Sequence, residues 1–374
     1  MSLPLLIIGA GPYGLAMAAL ARHHGMDVAI LGKPFELWRR HMPPGMLLRS
    51  DRRWQIDPLE VHTLERYLRE QDPDCAEPLS RDGFLGYLEW FVQEKGISIV
   101  PELVRSLRRE GNGFAATLGN GLTMNANLVL AASGIASFAH RPPELVDMFP
   151  PDRVSHTYED VDFRRLRGRR CLIVGGRQSA FEWAALIAEA GARAVHVAYR
   201  HPTPELTRSD WSWVKPYVDL TVSNPRWFRD LDKDLRIKLE SRFWREGRLK
   251  LEPWLAGRIR RPEIHLHPEA RIQGCRPLED GTLRIALGSG EPLAVEHIIL
   301  ATGYKMDLRK MGYLEDLGGI ETENGYPRLD EHFQSSVPGL FFAGFPTTAA
   351  FGPFFGFLVG APVTAKVIAR HLLT

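Results

Sequence analysis

The sequence predicts an α/β fold in which one unit of strand, glycine turn and helix occurs twice. The first unit has an apolar run at residues 5–8, a glycine pattern at residues 9–14, and an Ala- and Leu-rich helical pattern after it. The second unit repeats this plan from residue 171. In each copy roughly 125 residues separate the glycine turn from an apolar strand that ends in small residues, which indicates an internal duplication.

The first turn has the pattern G-x-G-x-x-G, and each glycine has a physical role. Gly9 turns the chain, Gly11 lets a pyrophosphate approach backbone N–H groups, and Gly14 lets the helix pack closely on the strand. Pro12 and Tyr13 lie between the last two glycines and belong to the same predicted site. Because the turn lies between an Ile-rich strand and a helix, it predicts a Rossmann-like dinucleotide-binding domain.

The predicted second strand, residues 28–31, ends without the usual acidic residue. Such a residue, about 20 positions beyond the glycines, ordinarily binds ribose hydroxyls. The chain has Gly32-Lys33-Pro34 there, and the nearest acid is Glu36. Glu36 is therefore a candidate ribose ligand, and the alternative is a solvated surface charge.

Residues 37–50 contain too many proline, glycine and aromatic residues for a regular helix, and they predict a loop that wraps a ligand. Trp38 and Met46 would supply apolar cover for a flat conjugated ring. Arg39, Arg49 and Ser50 would hold phosphate or a polar ring edge. The alternative is a surface loop with one buried tryptophan.

The glycine turn of the second unit supplies five predicted nucleotide contacts: Gly175, Gly176, Arg177, Gln178 and Ser179. Arg177 stands where glycine is usual, although an arginine can itself contact phosphate. The following strand runs into Arg200. A cation at this position accommodates a 2′-phosphate, whereas an acid would bind the 2′-hydroxyl of NADH, so Arg200 predicts a preference for NADPH.

A segment of about residues 202–261 is inserted in the second unit and holds five of the nine tryptophans. It predicts a helix over residues 229–246. An aromatic and basic insert can bind nucleic acid, but a net charge of +2 and the dinucleotide turns favour a cover over a cofactor cleft. Most of its tryptophans are expected to form a small core of its own.

Composition limits the partners and the location. A net charge of +2 over 374 residues gives no field that attracts nucleic acid or acidic membranes, so small molecules are the expected partners. Three cysteines lie far apart without a C-x-x-C, which predicts neither a disulfide framework nor a redox dithiol. No metal site, signal peptide or membrane span is predicted, and we expect a cytoplasmic protein.

With these motifs the chain resembles, over nearly its full length, the flavoproteins with two dinucleotide-binding domains. Within them it is most similar to the flavin-containing and N-hydroxylating (class B) monooxygenases. The resemblance rests on both glycine turns, on the strand ending that includes Thr302 and Gly303, and on residues 339–344 before a final helix. It implies FAD at the first turn and NAD(P)H at the second.

The resemblance also assigns roles near the C-terminus. Gly344 and Phe345 would meet the flavin, and Gly352 and Pro353 would open a helix whose N-terminus points at the ring and stabilises reduced flavin. Many reductase relatives have Asp where this chain has Phe345, which favours monooxygenase-like relatives over disulfide reductases.

The monooxygenase fingerprint F-x-G-x-x-x-H is only echoed from Phe149 to His156, with proline in place of glycine and one extra residue. His156 is a possible acid or base, but a single histidine is more often structural. No catalytic residue is predicted, because the flavin carries the difficult step.

We therefore expect residues 1–160 and 296–374 to form a discontinuous FAD domain and residues 161–295 to form an inserted NAD(P)H domain. Hydride transfer from NADPH to FAD, reaction of the reduced flavin with O₂, and oxygen transfer to a small nitrogen or sulfur nucleophile would follow. One alternative is an NAD(P)H-dependent reductase that passes electrons to a partner or quinone. Another is a non-catalytic nucleotide-binding redox sensor.

Overall fold

The computed structural model describes residues 3–159, 162–288 and 290–373. The predicted domain boundary at residues 160 and 161 lies outside these ranges. Over the described residues the strands are β1 (Leu3–Ile8), β2 (Val28–Leu31), β3 (Ile99–Val100), β4 (Val104–Glu110), β5 (Gly113–Leu118), β6 (Thr123–Ala131), β7 (Val154–His156), β8 (Arg170–Val174), β9 (Ala194–Ala198), β10 (Glu205–Leu206), β11 (Lys250–Leu251), β12 (Ile264–His267), β13 (Ile272–Pro277), β14 (Leu283–Leu287), β15 (Leu293–Val295), β16 (His297–Leu300), β17 (Thr322–Glu323), β18 (Tyr326–Pro327) and β19 (Leu340–Phe342). The helices there are α1 (Pro12–His23), α2 (Leu64–Gln71), α3 (Arg81–Glu94), α4 (Pro143–Val146), α5 (Gln178–Glu189), α6 (Val214–Ser223), α7 (Lys233–Arg248), α8 (Leu255–Arg258), α9 (Thr348–Phe351) and α10 (Gly360–Leu373).

The first sheet has the order β3-β2-β1-β6-β5-β4, and β19 also pairs with β6. The first half of β6 pairs antiparallel with β5, and its second half pairs parallel with β19. Residues 5–7 in β1 are fully buried because the strand is covered on both faces, as parallel strands usually are. This sheet therefore joins the two ends of the chain.

The second sheet has the order β12-β9-β8-β16-β7 and is parallel throughout. The antiparallel strands β13, β14 and β15 form a separate small sheet, whose side chains share a core with this one. Two strands of the second sheet lie outside the predicted segment 161–295. The strand β7 (Val154–His156) precedes it, and β16 (His297–Leu300) follows it and pairs with both β7 and β8. The division into two cofactor domains stays a prediction.

Two local predictions in and before the insert need correction. Residues 37–50 begin with one turn of π-helix at Leu37–His41, where only loop was predicted. The long helix of the insert is α7, which begins at Lys233 rather than at residue 229 because Asp232 caps it through the N–H groups of Asp234 and Leu235.

The tryptophans of the insert do not form a core of their own. We call the part of the chain around the first sheet the first module and the part around the second sheet the second module. Trp211 and Trp227 belong to a cluster that includes Trp54 and Phe354, so the insert packs on the first module, including its C-terminal segment. Their rings are buried against side chains that come from outside the insert. None of the described helices is long and apolar enough to cross a membrane.

Candidate functional site

The first glycine turn shows three different requirements at its three glycines. Gly9 has φ +126°, and a Cβ there would overlap the carbonyl oxygen of Ala132. A Cβ at Gly14 would overlap the carbonyl oxygen of Gly9, since α1 lies against the end of β1. At Gly11, by contrast, a Cβ would meet no heavy atom within 4 Å. The space above Gly11, at the start of α1, is therefore open.

The C-terminal segment lies beside this turn. The hydroxyl of Tyr13 is 2.5 Å from the carbonyl oxygen of Phe355 and 2.8 Å from that of Phe357. Gly344 follows β19 with φ +77°, and a Cβ there would lie 3.6 Å from the Tyr13 ring. The structure thus brings the predicted residues Tyr13 and Gly344 together. The Phe345 ring packs against Phe138, with ring centroids 5.7 Å apart.

The predicted helix start at Gly352 and Pro353 is wrong. Gly352 has φ +101°, which ends α9, and Pro353 begins only a 3₁₀ turn. The long helix α10 begins at Gly360, where a Cβ would lie 2.5 Å from the Tyr13 hydroxyl oxygen. The segment between Pro353 and Gly360 contacts the Tyr13 hydroxyl through the carbonyl oxygens of Phe355 and Phe357.

Several predicted ligand contacts of residues 36–39 have protein partners. The Trp38 ring packs on Phe84 of α3 with centroids 4.5 Å apart. Arg39 forms an ion pair of 2.6 Å with Glu89 of the same helix. Glu36, the candidate ribose ligand, forms an ion pair with Lys33 at 3.2 Å.

Pro12, another predicted contact, occupies the first position of α1. A missing N–H has no cost there, because the first N–H groups of a helix lack intrahelical acceptors.

Arg49 joins the loop to the insert. Its Nε donates to Glu252 at 3.1 Å, its Nη1 donates to the carbonyl oxygen of Gly247 at 3.0 Å, and its Nη2 lies 2.5 Å from Ser209 Oγ. These contacts make the guanidinium a bridge between segments, and its predicted contact with phosphate stays a prediction. Met46 packs against the core of the second module.

The second turn repeats the backbone of the first. Gly175 has φ +152°, and a Cβ there would lie 2.5 Å from the carbonyl oxygen of Ala301. A Cβ at Gly176 would lie 2.5 Å from the Tyr199 Cβ. Arg177 occupies the position before α5, and its side chain reaches the C-terminal end of α7. The turn is therefore built from glycine at two positions and carries a cation at the next.

The residues after the second turn link it to the loop. Gln178 is buried and accepts a hydrogen bond from the N–H of Glu252 at 3.1 Å, whereas Ser179 is exposed. One turn later, Glu182 accepts from the N–H of Leu47 at 2.8 Å. Burial raises the pKa of Glu182 to about 7. Glu182 and Glu252 were missed by the sequence analysis because their partners lie far away along the chain.

The remaining predicted residues of the second module surround its sheet. Arg200 is exposed just beyond β9. The Thr302 hydroxyl donates to the carbonyl oxygen of His140 at 2.5 Å, and Gly303 accepts from the N–H of the same residue at 2.8 Å. His156 is fully buried, and burial lowers its pKa to about 4.

A cavity of about 830 Å³ lies where the loop meets the insert. Its wall includes Arg49 and Ser50 from the list of predicted contacts, and Trp211 and Trp254 from the tryptophans of the insert. The sequence analysis did not single out Arg52, Arg208 and Glu252, which also line it. The mixture of tryptophan and arginine in the insert was the available indication, but the sequence could not show that residues 48–53 face it.

A family model described as pyridine nucleotide-disulphide oxidoreductase matches residues 6–225, from the first turn through the second turn into the insert. The chain belongs to this family. It is therefore an oxidoreductase, which disfavours the alternative of a non-catalytic sensor.

The curated relatives of this chain include ferredoxin–NADP reductases. The reductase of Anaplasma marginale is 26% identical over 196 residues, which are 52% of this chain and 54% of that protein. The chain thus matches only about half the length of that relative. The reductase of Thermus thermophilus is 23% identical over 341 residues, which are 91% of this chain and 83% of the relative.

Solved structures share the fold over the whole chain. The ornithine N-hydroxylase of Kutzneria sp. has a TM-score of 0.82 at 16% identity, covering 100% of this chain and 99% of that one. The ornithine hydroxylase of Pseudomonas aeruginosa has 0.78 at 18%, with the same coverage. The bacillithiol disulfide reductase of Staphylococcus aureus has 0.69 at 18%, again with the same coverage. These matches confirm the predicted α/β fold, which the chain shares with N-hydroxylating enzymes and with a disulfide reductase.

The three thiols of this oxidoreductase are not suited to disulfide exchange. Burial raises the pKa of Cys171 to about 12 and raises the pKa of Cys75 and Cys275 as well. Because the thiolate is the reactive form, a raised pKa makes a cysteine less reactive at neutral pH. The three lie in β8, in the loop after α2 and in β13, so they cannot form a redox pair.

Proposed function

We propose that the chain is an FAD-dependent, NADPH-consuming monooxygenase that oxygenates a nitrogen or sulfur atom of a small substrate. The observation that carries this proposal is the cavity of about 830 Å³ between residues 48–53 and the insert. It lies beside the loop that follows the first turn, and its volume suits a small molecule. The fold shared with ornithine hydroxylases supports the same choice.

The first turn fits the pyrophosphate of FAD. The open space above Gly11 would let the pyrophosphate approach the backbone of the turn, and a side chain at this position would fill that space. The first-turn N–H groups of α1 have no intrahelical acceptors and face this space, as at the start of any helix. Gly344, held beside Tyr13, would lie along the same ligand.

The second turn fits the nicotinamide nucleotide. Gly175 and Gly176 leave the end of β8 close to α5, and Arg200 stands beyond the next strand for the 2′-phosphate of NADPH. When bound, the flavin accepts hydride from NADPH and delivers electrons to O₂. The residues at the two turns would hold the two cofactors, and the protein would keep water away from the reduced flavin.

The exclusion of water is assigned to the aromatic cluster of the insert and the C-terminal segment. Trp211 packs on Phe243 at 5.7 Å, and Phe243 packs on Phe354 at 5.1 Å, both measured between ring centroids. Burial lowers the pKa of His156 to about 4, which disfavours a role as a general acid at neutral pH. The raised pKa values of the three cysteines argue against a dithiol mechanism.

A second candidate is a reductase that passes electrons from NADPH to a protein or quinone. The similarity to ferredoxin–NADP reductases favours it. The same two cofactors would bind at the same two turns, so only the fate of the electrons differs.

The deciding experiment mixes the NADPH-reduced protein with ¹⁸O₂ and a panel of small amines and thioethers that includes ornithine and cadaverine. The monooxygenase proposal expects substrate-stimulated NADPH oxidation and one ¹⁸O atom in the product. Rapid electron transfer to ferredoxin or a quinone, without labelled product from any amine or thioether, would replace this proposal with the reductase.

A further inference from the structure

Arg177 occupies the position in the second turn that Gly11 occupies in the first. The backbone angles are nearly the same, with φ −108° and ψ −173° at Gly11 and φ −113° and ψ 175° at Arg177. These are extended values that any residue adopts. The difference between the turns therefore lies in the side chain alone.

The Arg177 side chain is held by the end of the insert helix. Its Nη1 donates to the carbonyl oxygen of Arg248, the last residue of α7, at 2.8 Å. Its guanidinium carbon lies 5.5 Å from the centre of the Trp244 ring, and that of Arg248 lies 5.9 Å from the same ring. The insert thus places Trp244 between two cations beside the second turn.

Neither cation has a nearby negative charge. Over residues 3–159, 162–288 and 290–373, no carboxylate lies within ion-pair distance of Arg177 or Arg248, whereas Arg49 close by is neutralised by Glu252. Burial lowers the pKa of Arg177, and the Arg248 side chain lies at the surface. Two repelling positive charges at the start of α5, a helix of 12 residues, favour an anion between them.

We propose that Arg177 and Arg248 clamp the pyrophosphate of the nicotinamide nucleotide, and that the bond from Arg177 to the Arg248 carbonyl is released when the nucleotide binds. This proposal rests on the proposed function, since it assumes a nucleotide at the second turn. The insert then responds to cofactor binding through the end of α7. The opposite possibility is that Arg177 fills the turn and keeps nucleotides out.

The test is binding of the unreactive oxidised nucleotides NADP⁺ and NAD⁺ to the flavin-loaded protein, measured by calorimetry. Arg177→Gly restores the residue type of the first turn, Arg177→Lys keeps the charge, and Arg248→Ala removes the second cation. We expect Arg177→Gly and Arg248→Ala to raise Kd by about 10- to 100-fold for both nucleotides, which corresponds to about 1.4 to 2.8 kcal/mol. Arg177→Lys should raise Kd by a smaller factor, because it keeps the positive charge.

The matched control is Arg245→Ala, which removes a cation from the same helix, where the side chain is exposed. It should leave both Kd values unchanged, and thermal unfolding checks that every variant is folded. Should Arg177→Gly bind nucleotides as well as or better than the natural protein, the clamp is refuted and Arg177 is a plug. If the natural protein binds neither nucleotide, the proposed function fails together with the clamp.

Discussion

The two glycine turns have the same backbone but different surroundings. In both, the first glycine has positive φ and approaches the carbonyl oxygen of a small residue at the end of a neighbouring strand, Ala132 in one case and Ala301 in the other. Two residues after the first glycine, Gly11 leaves open space, whereas Arg177 carries a side chain that is held by the insert. Because Gly11 has an ordinary φ, the chain does not need glycine there for its own conformation. We therefore propose that the absence of a side chain at Gly11 makes room for a ligand.

The largest expected effect separates ligand room from protein packing within the first turn. Gly11→Val should abolish FAD binding, since its side chain enters the ligand space, yet the flavin-free protein should melt at the same temperature as the flavin-free natural protein. Gly14→Val should prevent folding, because its Cβ overlaps the Gly9 carbonyl oxygen. Flavin absorbance and thermal unfolding measure the two effects. Full flavin content in Gly11→Val would show that the first turn has been misassigned.

The second turn, unlike the first, is tied to the loop by buried charges. Glu252→Ala would leave Arg49 without its carboxylate, in a pair with side chains only 3% and 16% exposed. Breaking such a buried pair costs about 3 to 5 kcal/mol of unfolding free energy, and we expect the lower part of that range because carbonyl groups also hold Arg49.

Urea unfolding measures this loss. The control is Glu77→Ala, which breaks an exposed pair with Arg208 at 2.9 Å and should change stability by less than about 1 kcal/mol. Equal losses in the two variants would mean that the buried pair does not join the modules.

Acid should unfold the second module before the first. The strands of the first sheet contain no histidine, whereas β7 and β9 carry His156 and His196. Burial is the main cause that lowers the pKa of both to about 4. Between about pH 6.5 and pH 4 the unfolded chain binds protons that the folded chain does not, so stability falls as the pH falls.

The loss of unfolding free energy on acidification is at most about 3 kcal/mol for each histidine, and it is smaller for His196 because that side chain is partly exposed. Glu182 acts in the opposite direction, since its pKa is raised to about 7 and its stabilising protonated form is lost as the pH rises. Hydrogen exchange near pH 5 should show protection lost first in the second sheet. His196→Gln should flatten the pH dependence, and the exposed His24→Gln should not; loss of protection in the first sheet first would contradict the assignment.

The smallest effect concerns the choice between nucleotides. Arg200→Ala should weaken NADPH by about tenfold, near the lower limit for one charge-assisted bond because Arg200 is exposed, and should hardly change NADH. Flavin reduction by each nucleotide measures this. Equal losses for NADH and NADPH would show that Arg200 does not recognise the 2′-phosphate, whereas the Arg177 and Arg248 variants should affect both nucleotides alike.

Local patterns predicted the parts of the fold that local forces decide. The strand predicted at residues 28–31 is β2 (Val28–Leu31), and both turns were found from their glycines. The start of α10 was not, because the hydroxyl of Tyr13 and the turn at Gly352 decide where the last helix begins.

The polar connections of the site were outside the reach of sequence reasoning. Arg49 was predicted as a contact for phosphate or a polar ring edge, but its partner Glu252 lies 203 residues further along the chain. Glu182 and Leu47 are 135 residues apart. A sequence shows which charges exist, but only the packing of the loop against the insert shows which of them neutralise each other.

The pairing of β6 with β5, β1 and β19 also affects the order of synthesis and folding. The nascent chain can form the β1–β2 pairing early, but the surroundings of Tyr13 are incomplete until residues 340–373 have left the ribosome. The second module, by contrast, has all its strands by residue 300. Domains usually fold as units when their residues become available. The second module would therefore fold first on the ribosome. FAD would bind only after residues 340–373, about the last tenth of the chain, have emerged.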